Sequence, residues 1–207
     1  MKRPIIGIDE VGRGALAGPV VVAAVLFKKG TISVPAADRC KLPKLRDSKR
    51  LSARQREIWA AYFLDHPDVM VSVARVYPRR IEKMNISRAA NLAAWRACGK
   101  LIAAKPVTGE SFGIFLDGGL YLGNGSQPEN ARTIVKGDER IAAVAAASIV
   151  AKVARDRFMV RLGKRHPEYG FEAHKGYGTK AHYRKLRKYG LCAAHRATFL
   201  SGRRFVV

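Results

Sequence analysis

The sequence predicts an α/β fold in which a mixed sheet is flanked by helices and followed by a helical C-terminal extension. Apolar segments of strand length dominate the first half of the 207 residues, whereas segments of helix length dominate the last third. No internal repeat or low-complexity linker divides the chain. We therefore expect residues 1–207 to form a single domain, with a core over about 1–160 and a basic helical extension over about 161–207.

Five segments are predicted to be strands. Pro4–Asp9 is nearly continuous in apolar residues, as in a strand that is covered on both faces. Val20–Phe27 is β-branched and follows a glycine-rich turn, so we expect it to pair with the first strand. Apolar residues alternate along Val69–Val76 well enough to predict a third strand. The fourth and fifth predicted strands are Ser111–Leu116 and Arg132–Val135.

Helical periodicity and capping residues predict the helices. Ser52 and Gln55 have the spacing of a capping box and begin a helix that ends near His66. Pro78 opens a short helical turn, and Ser87 is the expected N-cap of a long helix. The helices predicted after Ser87 span about 87–104, 139–164 and 179–188. The aromatic residues predicted to lie in the core are Trp59, Tyr62, Phe63 and Trp95.

The charge balance points to a polyanionic partner. The chain has 39 lysines and arginines against 16 acidic residues, a net charge of +23. The excess is densest in residues 152–207, where 15 basic residues face three acidic ones. Nucleic acid is the commonest partner of so basic a protein. Charge alone does not separate DNA from RNA, or an enzyme from a coat protein.

Several classes of protein are disfavoured by the pattern of residues. No apolar run reaches the ~18 residues of a membrane span, and the N-terminus meets Asp9 before any long apolar region, unlike a signal peptide. Three cysteines without a CxxC pair suggest a reduced, cytoplasmic protein. The five histidines form no zinc motif. We expect His174 and His182 to contact phosphate or solvent.

Four carboxylates follow predicted strands. Asp9 and Glu10 end the first strand, Asp117 follows the fourth and Asp138 follows the fifth. Ligands of open α/β sheets bind beyond strand ends, so these side chains could converge there. Adjacent carboxylates repel each other, and a cation relieves this most simply. Two Mg²⁺ ions about 4 Å apart could then activate a water and stabilise the leaving oxygen of a phosphodiester.

Each acidic residue also has a structural interpretation. Asp117 before Gly-Gly could be a turn residue, and Asp138 could be a helix N-cap. Asp156 is expected to pair with neighbouring arginines on a helix surface. The joint pattern favours a site over these separate explanations. Tyr177, flanked by glycines and surrounded by bases, suits stacking on a sugar or base better than a core position.

Six segments, in this order, resemble ribonuclease HII, the type 2 ribonuclease H of bacteria and archaea, and its bacterial branch most closely. They are GIDEVGRGALAGPVVVAAV, DSKRLSARQRE, FLDGG, VKGDERIAAVAAASIVAKVARDR, YGFEAHKGYGTKAH and YGLCAAHRATF. The combination is highly specific and spans nearly the whole chain. The sequence departs from the family at Val11, Ala15 and Gly119, none of which is a carboxylate.

The resemblance implies a ribonuclease H-like sheet and a role for each site residue. The four carboxylates would be catalytic and would bind Mg²⁺ or Mn²⁺, with two ions during catalysis. Gly12, Arg13 and Gly14 would form a turn that recognises a ribonucleotide 2′-hydroxyl. Tyr177 would stack on the sugar of the following deoxynucleotide. Lys49, Lys136 and the basic C-terminal helix would hold phosphates.

The resemblance also implies an activity. The protein would cut the RNA strand of RNA/DNA hybrids and nick duplex DNA 5′ of an embedded ribonucleotide, in ribonucleotide excision repair and RNA primer removal. We expect a monomer without a membrane partner, and no sliding-clamp motif is evident near Phe205. Two alternatives stay open: a non-catalytic nucleic-acid-binding protein, and another metal nuclease of the ribonuclease H-like group acting on branched or transposing DNA.

Overall fold

Five strands form one mixed sheet in the computed structural model, which describes residues 3–32, 42–45, 48–104, 112–123 and 127–202. The strands are β1 (Ile5–Val11), β2 (Val20–Phe27), β3 (Val69–Val76), β4 (Gly113–Asp117) and β5 (Ala131–Ile134). Their order in the sheet is β3-β2-β1-β4-β5. β2 is antiparallel to both of its neighbours, whereas β1, β4 and β5 run parallel.

The five predicted strands are confirmed. The predicted bounds of β2 and β3 match the structure, and those of the other three differ by one or two residues. Ser111, the predicted first residue of the fourth strand, lies outside the described residues, as do Cys40 and Phe205. Cys98 and Cys192 are free thiols.

Seven helices accompany the sheet in the described ranges. They are α1 (Ala53–Asp65), α2 (Pro78–Met84), α3 (Ile86–Ala103), α4 (Gly137–Arg140), α5 (Ala142–Arg165), α6 (Phe171–His174) and α7 (Lys180–Tyr189). The predicted helix over 139–164 is therefore two helices. Ile141 has extended backbone angles, φ −127° and ψ 116°, and separates α4 from α5. None of these helices is long and apolar enough to cross a membrane.

The two predicted N-caps have different outcomes. The Ser52 hydroxyl accepts a hydrogen bond from the Gln55 N–H at 3.2 Å, and the Gln55 side chain accepts one from the Ser52 N–H at 2.9 Å, so the capping box is confirmed. The prediction of Ser87 as a cap is wrong. Asn85 caps α3 instead, because its carboxamide oxygen accepts the N–H of Arg88 at 3.0 Å.

Helices cover both faces of the sheet. On one face α3 packs through a row of small and apolar residues that recur every four positions, Ala89, Ala93, Ala97 and Leu101. On the other face lie α1 and α5. Trp59 and Phe63 of α1 are buried and Tyr62 is half-buried, as expected. Trp95 is 61% exposed, so its prediction as a core residue is wrong: it lies off the row by which α3 contacts the sheet.

A third apolar cluster joins the C-terminal region to the turn after β1. Leu16 and Ala17 pack there against Met159 and Leu162 of α5. The other buried members are Tyr169, Phe171, Leu186 and Leu200. The basic C-terminal region therefore packs on the same end of β1 that carries Asp9 and Glu10.

Helix α5 approaches the sheet closely at Gly7 of β1. A Cβ atom on Gly7 would lie 2.1 Å from the backbone carbonyl carbon of Ala143 in α5. Alanines 143, 146 and 147 are buried along this contact. The Ala-rich half of α5 thus packs directly on the sheet, as its composition predicts, and Gly7 makes that approach possible.

We expect Gly7→Ala to destabilise the fold by about 3 kcal/mol or more, because the added methyl group meets backbone rather than a movable side chain. Urea unfolding of the purified variant measures this loss. Gly99→Ala on α3 is the matched control: a Cβ there meets nothing within 4 Å, so this change should be neutral or stabilise by up to about 1 kcal/mol. Equal stability of the two variants would contradict the assignment.

Candidate active site

Three of the four predicted carboxylates meet at one end of the sheet. The parallel register pairs Ile8 with Leu116, which brings the following residues, Asp9 and Asp117, side by side. Asp9, Glu10 and Asp117 line a cavity of about 300 Å³. Its other lining residues are Val11, Ser48, Lys49, Ser148, Lys152 and Tyr177.

Asp9 faces α5 and is 5% exposed. One carboxylate oxygen accepts the Glu10 N–H at 2.7 Å, and Ser148 of α5 also donates to this carboxylate. The Ser148 hydroxyl is in turn 2.8 Å from that of Ser48. Burial raises the pKa of Asp9 well above its ordinary value, and the charges of Glu10 and Asp117 raise it further.

Glu10 projects from the opposite face of β1, toward the turn after that strand. Its Oε1 lies 3.3 Å from Nη1 of Arg13, whose other terminal nitrogen donates to the Ser87 hydroxyl at 2.9 Å. Oε2 of Glu10 is buried and has no hydrogen-bond partner in the described residues. Burial raises the pKa of Glu10 in spite of Arg13. Ser87, the wrongly predicted cap, instead positions Arg13.

Asp138 is placed differently from the other three carboxylates. It is buried in the first turn of α4 and is not among the residues that line the cavity. The N-cap of α4 is Lys136, so the alternative interpretation of Asp138 as an N-cap is wrong. The residue before Asp138, Gly137, contacts the site directly, because its N–H donates to Oδ1 of Asp117 at 2.7 Å.

The chemistry of this donor set fits a hard divalent cation. Carboxylate oxygens are the preferred ligands of Mg²⁺ and Mn²⁺, and the orphaned Oε2 of Glu10 is a buried acceptor that such an ion would satisfy. In the described ranges no three acidic, histidine or cysteine side chains are already grouped as a metal site. The protein would therefore supply only part of the coordination shell, as is usual for Mg²⁺, which keeps waters and substrate oxygens.

The predicted Gly12-Arg13-Gly14 turn comes directly after Glu10. Gly12 has φ +88°, and a Cβ there would lie 2.1 Å from Nε of Arg155, so only glycine fits. Gly14 borders open space. In the described part of the chain, the N–H groups of Arg13 and Gly14 donate no hydrogen bond. The turn thus presents free donors toward solvent beside the carboxylates.

Two buried arginines, which sequence reasoning missed, hold residues 13–19, the end of this turn and the segment after it, through backbone carbonyls. Arg155 of α5 donates to the carbonyls of Ala17 and Pro19, each at 3.1 Å. Arg196 donates to the Gly18 carbonyl at 3.0 and 2.9 Å and to the Arg13 carbonyl at 2.9 Å. Both side chains are completely buried. A basic residue on the inner face of an apolar helix was the available signal for Arg155.

Tyr177 completes the cavity wall. The guanidinium carbon of Arg155 lies 5.0 Å from the centre of its ring and Nζ of Lys152 lies 5.9 Å away, so the ring has a cationic environment. The preceding residue, Gly176, accepts the N–H groups of Leu16 and Ala17 at 2.8 and 3.2 Å. The loop is therefore tied to the turn after β1.

The other predicted ionic contacts are partly revised. Asp156 pairs with a lysine, Lys152, at 2.9 Å, whereas an arginine partner was expected. Lys49 lines the cavity. The side chain of Lys136 is 71% exposed, lies 3.8 Å from Glu139 and does not line the cavity.

His174, His182 and His195 form a cluster behind Tyr177. The expectation of phosphate or solvent contact is wrong for His182, which is buried, whereas His174 is half-buried. The rings of His174 and His182 stack with centres 4.2 Å apart. Nε2 of His182 lies 3.1 Å from Nε2 of His195. His182 and His195 are buried, and burial lowers the pKa of each to about 4. Each ring is therefore neutral near pH 7.

The hydrogen bonds of this cluster fix its tautomers. Nδ1 of His182 faces the Tyr177 carbonyl at 3.0 Å and must carry a proton, so its Nε2 accepts. His195 must then donate from Nε2, and its Nδ1 accepts the Cys192 N–H at 3.0 Å. His195 does not line the cavity. It is connected to the Tyr177 carbonyl by the hydrogen bonds of His182.

Known proteins resemble this chain along almost its whole length. The family model for ribonuclease HII matches residues 6–201. A ribonuclease HII from Pelodictyon phaeoclathratiforme is 40% identical over 200 residues, which cover 94% of this chain and 88% of that protein. One from Shewanella piezotolerans is 42% identical over 193 residues, with coverages of 93% and 86%.

Solved structures share the fold. Ribonuclease HII in the PCNA complex from Archaeoglobus fulgidus matches with a TM-score of 0.66 at 24% identity, over 98% of this chain and 96% of that one. The ribonuclease H2 of Pyrococcus horikoshii matches with a TM-score of 0.65 at 23% identity, over 94% and 93%. Bst ribonuclease HIII in complex with Mn²⁺ matches with 0.65 at 22% identity, over 98% and 71%. The predicted ribonuclease H-like mixed sheet is thereby confirmed.

The histidine cluster predicts how stability depends on pH. His182 and His195 resist protonation in the folded protein down to about pH 4, whereas in the unfolded chain they take up protons below about pH 6.5. Stability is therefore complete above pH 6.5 and is lost as the pH falls toward 4, by about 2 kcal/mol per histidine at pH 5. Urea unfolding at pH 7.5 and pH 5 measures this loss.

His195→Gln keeps a donor next to His182 but does not titrate, so its stability should fall less steeply between pH 7.5 and pH 5 than that of the unchanged protein. His66→Gln, at the end of α1, is the control and should retain the full dependence. An unchanged slope in His195→Gln would contradict the neutral cluster.

Proposed function

The chain belongs to the ribonuclease HII family of ribonuclease H hydrolases, and on this premise we propose a specific activity for it. It hydrolyses the RNA strand of RNA/DNA hybrids and nicks duplex DNA on the 5′ side of an embedded ribonucleotide, which leaves a 3′-hydroxyl and a 5′-phosphate. Its role is ribonucleotide excision repair and RNA primer removal in the cytoplasm. Residues 1–207 act as one catalytic domain and as a monomer.

One observation carries this proposal: Asp9, Glu10 and Asp117 share a cavity with the ring of Tyr177, directly beside the Gly12-Arg13-Gly14 turn. Carboxylates alone would repel the phosphates of a nucleic acid. They can contribute to binding or cleaving it only when a cation lies between the carboxylates and the phosphate. A non-catalytic nucleic-acid-binding protein would have no use for such a group. Membership of the ribonuclease HII family favours a hybrid substrate over branched or transposing DNA.

The cofactor we propose is Mg²⁺ or Mn²⁺, two ions during catalysis, held by Asp9, Glu10, Asp117 and Asp138. Such ions supply activation of the attacking water and stabilisation of the leaving 3′-oxygen. A related structure, Bst ribonuclease HIII, is a Mn²⁺ complex, which supports the choice of metal. Because the pKa values of Asp9 and Glu10 are raised, these carboxyls release protons as they take up a cation.

The fixed surroundings of each carboxylate keep it ready for the metal. Asp9 is held by Ser148 and by the Glu10 N–H. Glu10 is oriented by Arg13, and Asp117 is oriented by the Gly137 N–H. Each group therefore loses little freedom when the substrate and cation bind, which lowers the entropic cost of assembling the site.

Recognition of the ribonucleotide belongs to the turn. The free N–H groups of Arg13 and Gly14 can donate to a 2′-hydroxyl, and the lack of a side chain on Gly14 lets a sugar approach the backbone. The ring of Tyr177 stacks on the sugar of the next nucleotide. Lys49, and Lys136 with the basic helix α7, hold flanking phosphates.

Asp9→Asn and Asp117→Asn should each abolish cleavage and spare binding, because each loses the charge that holds the cation but keeps its size. The test is a labelled DNA duplex with one ribonucleotide, incubated in Mg²⁺, in Mn²⁺ and in EDTA. We expect a metal-dependent nick 5′ of the ribonucleotide. Asp68→Asn, whose carboxylate pairs with Lys29 away from the cavity, is the matched control and should cut normally. Retained cleavage in either site variant would remove that residue from the proposed metal site.

Tyr177→Ala should slow nicking at a single ribonucleotide by roughly 5- to 150-fold, the cost of one lost stacking contact. The rate of cleavage of a continuous RNA/DNA hybrid should fall less, because such a hybrid can be bound and cut at many positions along its RNA strand. Tyr177→Phe keeps the ring and its cationic neighbours and should retain most of the activity. If Tyr177→Ala and Tyr177→Phe lose the same activity, the hydroxyl rather than the ring is responsible, and the stacking role is wrong.

A further inference from the structure

A second basic cavity lies outside the candidate active site. It is a groove of about 450 Å³ between the end of β3, helix α2 and helix α3. We call it the Arg75–Arg96 groove; its charged and aromatic lining residues are Arg75, Tyr77, Arg79, Arg80, Lys83 and Arg96. Val76 and Met84 contribute its apolar floor. Five basic residues and no acidic one line this concave surface.

The cations of this groove lack counter-charges. In the residues that the structure describes, none of the five makes an ion pair or hydrogen bond to an acidic side chain. The Nε of Arg75 is buried without a hydrogen-bond partner. Glu82, the acidic residue of α2, is directed elsewhere and accepts the Ala197 N–H at 2.5 Å. Like charges held together in this way repel one another unless an anion joins them.

The groove opens at the same end of the sheet as the carboxylates. Val11, the residue after Glu10, pairs with Val21 of β2, and Val21 pairs with Arg75 of β3. Two strand spacings therefore separate the backbone of Arg75 from that of Val11, about 10 Å. Tyr77 continues the surface: it is 51% exposed, and its ring lies 5.9 Å from that of Phe158 on α5, the helix that carries Ser148 and Lys152.

We propose that the Arg75–Arg96 groove binds the phosphate backbone of the substrate duplex outside the segment that is cut. This rests on the proposed function, since it assigns the groove to the same nucleic acid. A duplex seated at the carboxylates extends past the sheet end on both sides, so one arm passes over the end of β3, where the backbone of Arg75 lies about 10 Å from that of Val11. The groove offers only phosphate contacts, so it contributes affinity without sequence preference.

The proposal predicts that affinity depends on the length of one duplex arm. Each base pair added to an arm lengthens it by about 3.4 Å, so very short duplexes reach the carboxylates but not the groove. Affinity should rise once the arm on the groove side becomes long enough. The arm on the other side should show no such rise through this surface.

The test uses the double variant Arg79→Gln/Lys83→Gln, which removes two exposed charges from α2. Binding is measured by fluorescence anisotropy in EDTA, so that no cleavage occurs, with duplexes whose two arms are lengthened separately. On long duplexes we expect roughly tenfold weaker binding, and a plot of log affinity against log salt that is shallower by about 1.8, the value for two lost phosphate contacts. On the shortest duplexes the variant should equal the unchanged protein.

Arg3→Gln/Arg132→Gln is the matched control, because it removes the same charge from two exposed arginines that line a different groove. If it weakens binding as much as the α2 variant, net charge explains the effect and the proposal is overturned. Equal affinity and salt dependence of the α2 variant and the unchanged protein on every duplex would overturn it too. Thermal melting by circular dichroism verifies that both variants are folded.

The binding assay separates this proposal from the proposed function. Failure of the unchanged protein to nick a ribonucleotide-containing duplex would refute the activity, whereas the arm-length series in EDTA would still report on the groove. Conversely, normal nicking with no difference between the variant and the unchanged protein would refute the groove alone.

Discussion

The contact between α5 and β1 is the constraint on which the rest of the structure depends. The backbone of Ala143 sits where a side chain of Gly7 would be, so the helix lies against the strand without a layer of side chains between them. Helical geometry then fixes the side chains that α5 presents to the site. Ser148, Lys152, Arg155 and Met159 recur at intervals of three and four residues and so share one face of α5. Ser148 donates to Asp9, and Lys152 lines the cavity. Arg155 donates to the Ala17 carbonyl after β1, and Met159 lies against Gly176.

This arrangement explains how a basic protein keeps an acidic site. Burial raises the pKa values of Asp9 and Glu10, and the charge of Asp117 raises both further, so these two carboxyls are held in a state that a cation would relieve. The basic residues near it are used mainly for construction. Arg155 and Arg196 direct their donors to backbone carbonyls of the turn rather than to the carboxylates. These two arginines thus leave the carboxylates to Arg13, which pairs with Glu10, and to a cation.

Much of the fold and the outline of the site could be predicted from the sequence, because strand ends, capping boxes and glycine turns are local signals. Asp9, Glu10 and Asp117 converge as the strand-end argument requires. The failures are non-local. His174 and His182 look like solvated residues of a basic segment, and only the packing of the C-terminal loops brings them together with His195. Ser87 has the residue type of a cap, yet Asn85 takes that position and leaves Ser87 for Arg13. Asp138 comes after a strand but is drawn into the first turn of α4.

The ties between the turn after β1 and the C-terminal region have a consequence for how the protein matures on the ribosome. The carboxylates of β1 emerge first, but the segment that follows them, residues 13–19, is held by Arg155 and Arg196. Within it, the N–H groups of residues 16–18 donate to the carbonyls of Gly176 and Ala194. A nascent chain therefore has its acidic residues long before it has a rigid site. A chain that stops before residue 196 lacks the Arg196 donors to the Arg13 and Gly18 carbonyls, so its carboxylates stand beside a segment without this support. Synthesis from the N-terminus thus places the last supports of the site near the end of folding.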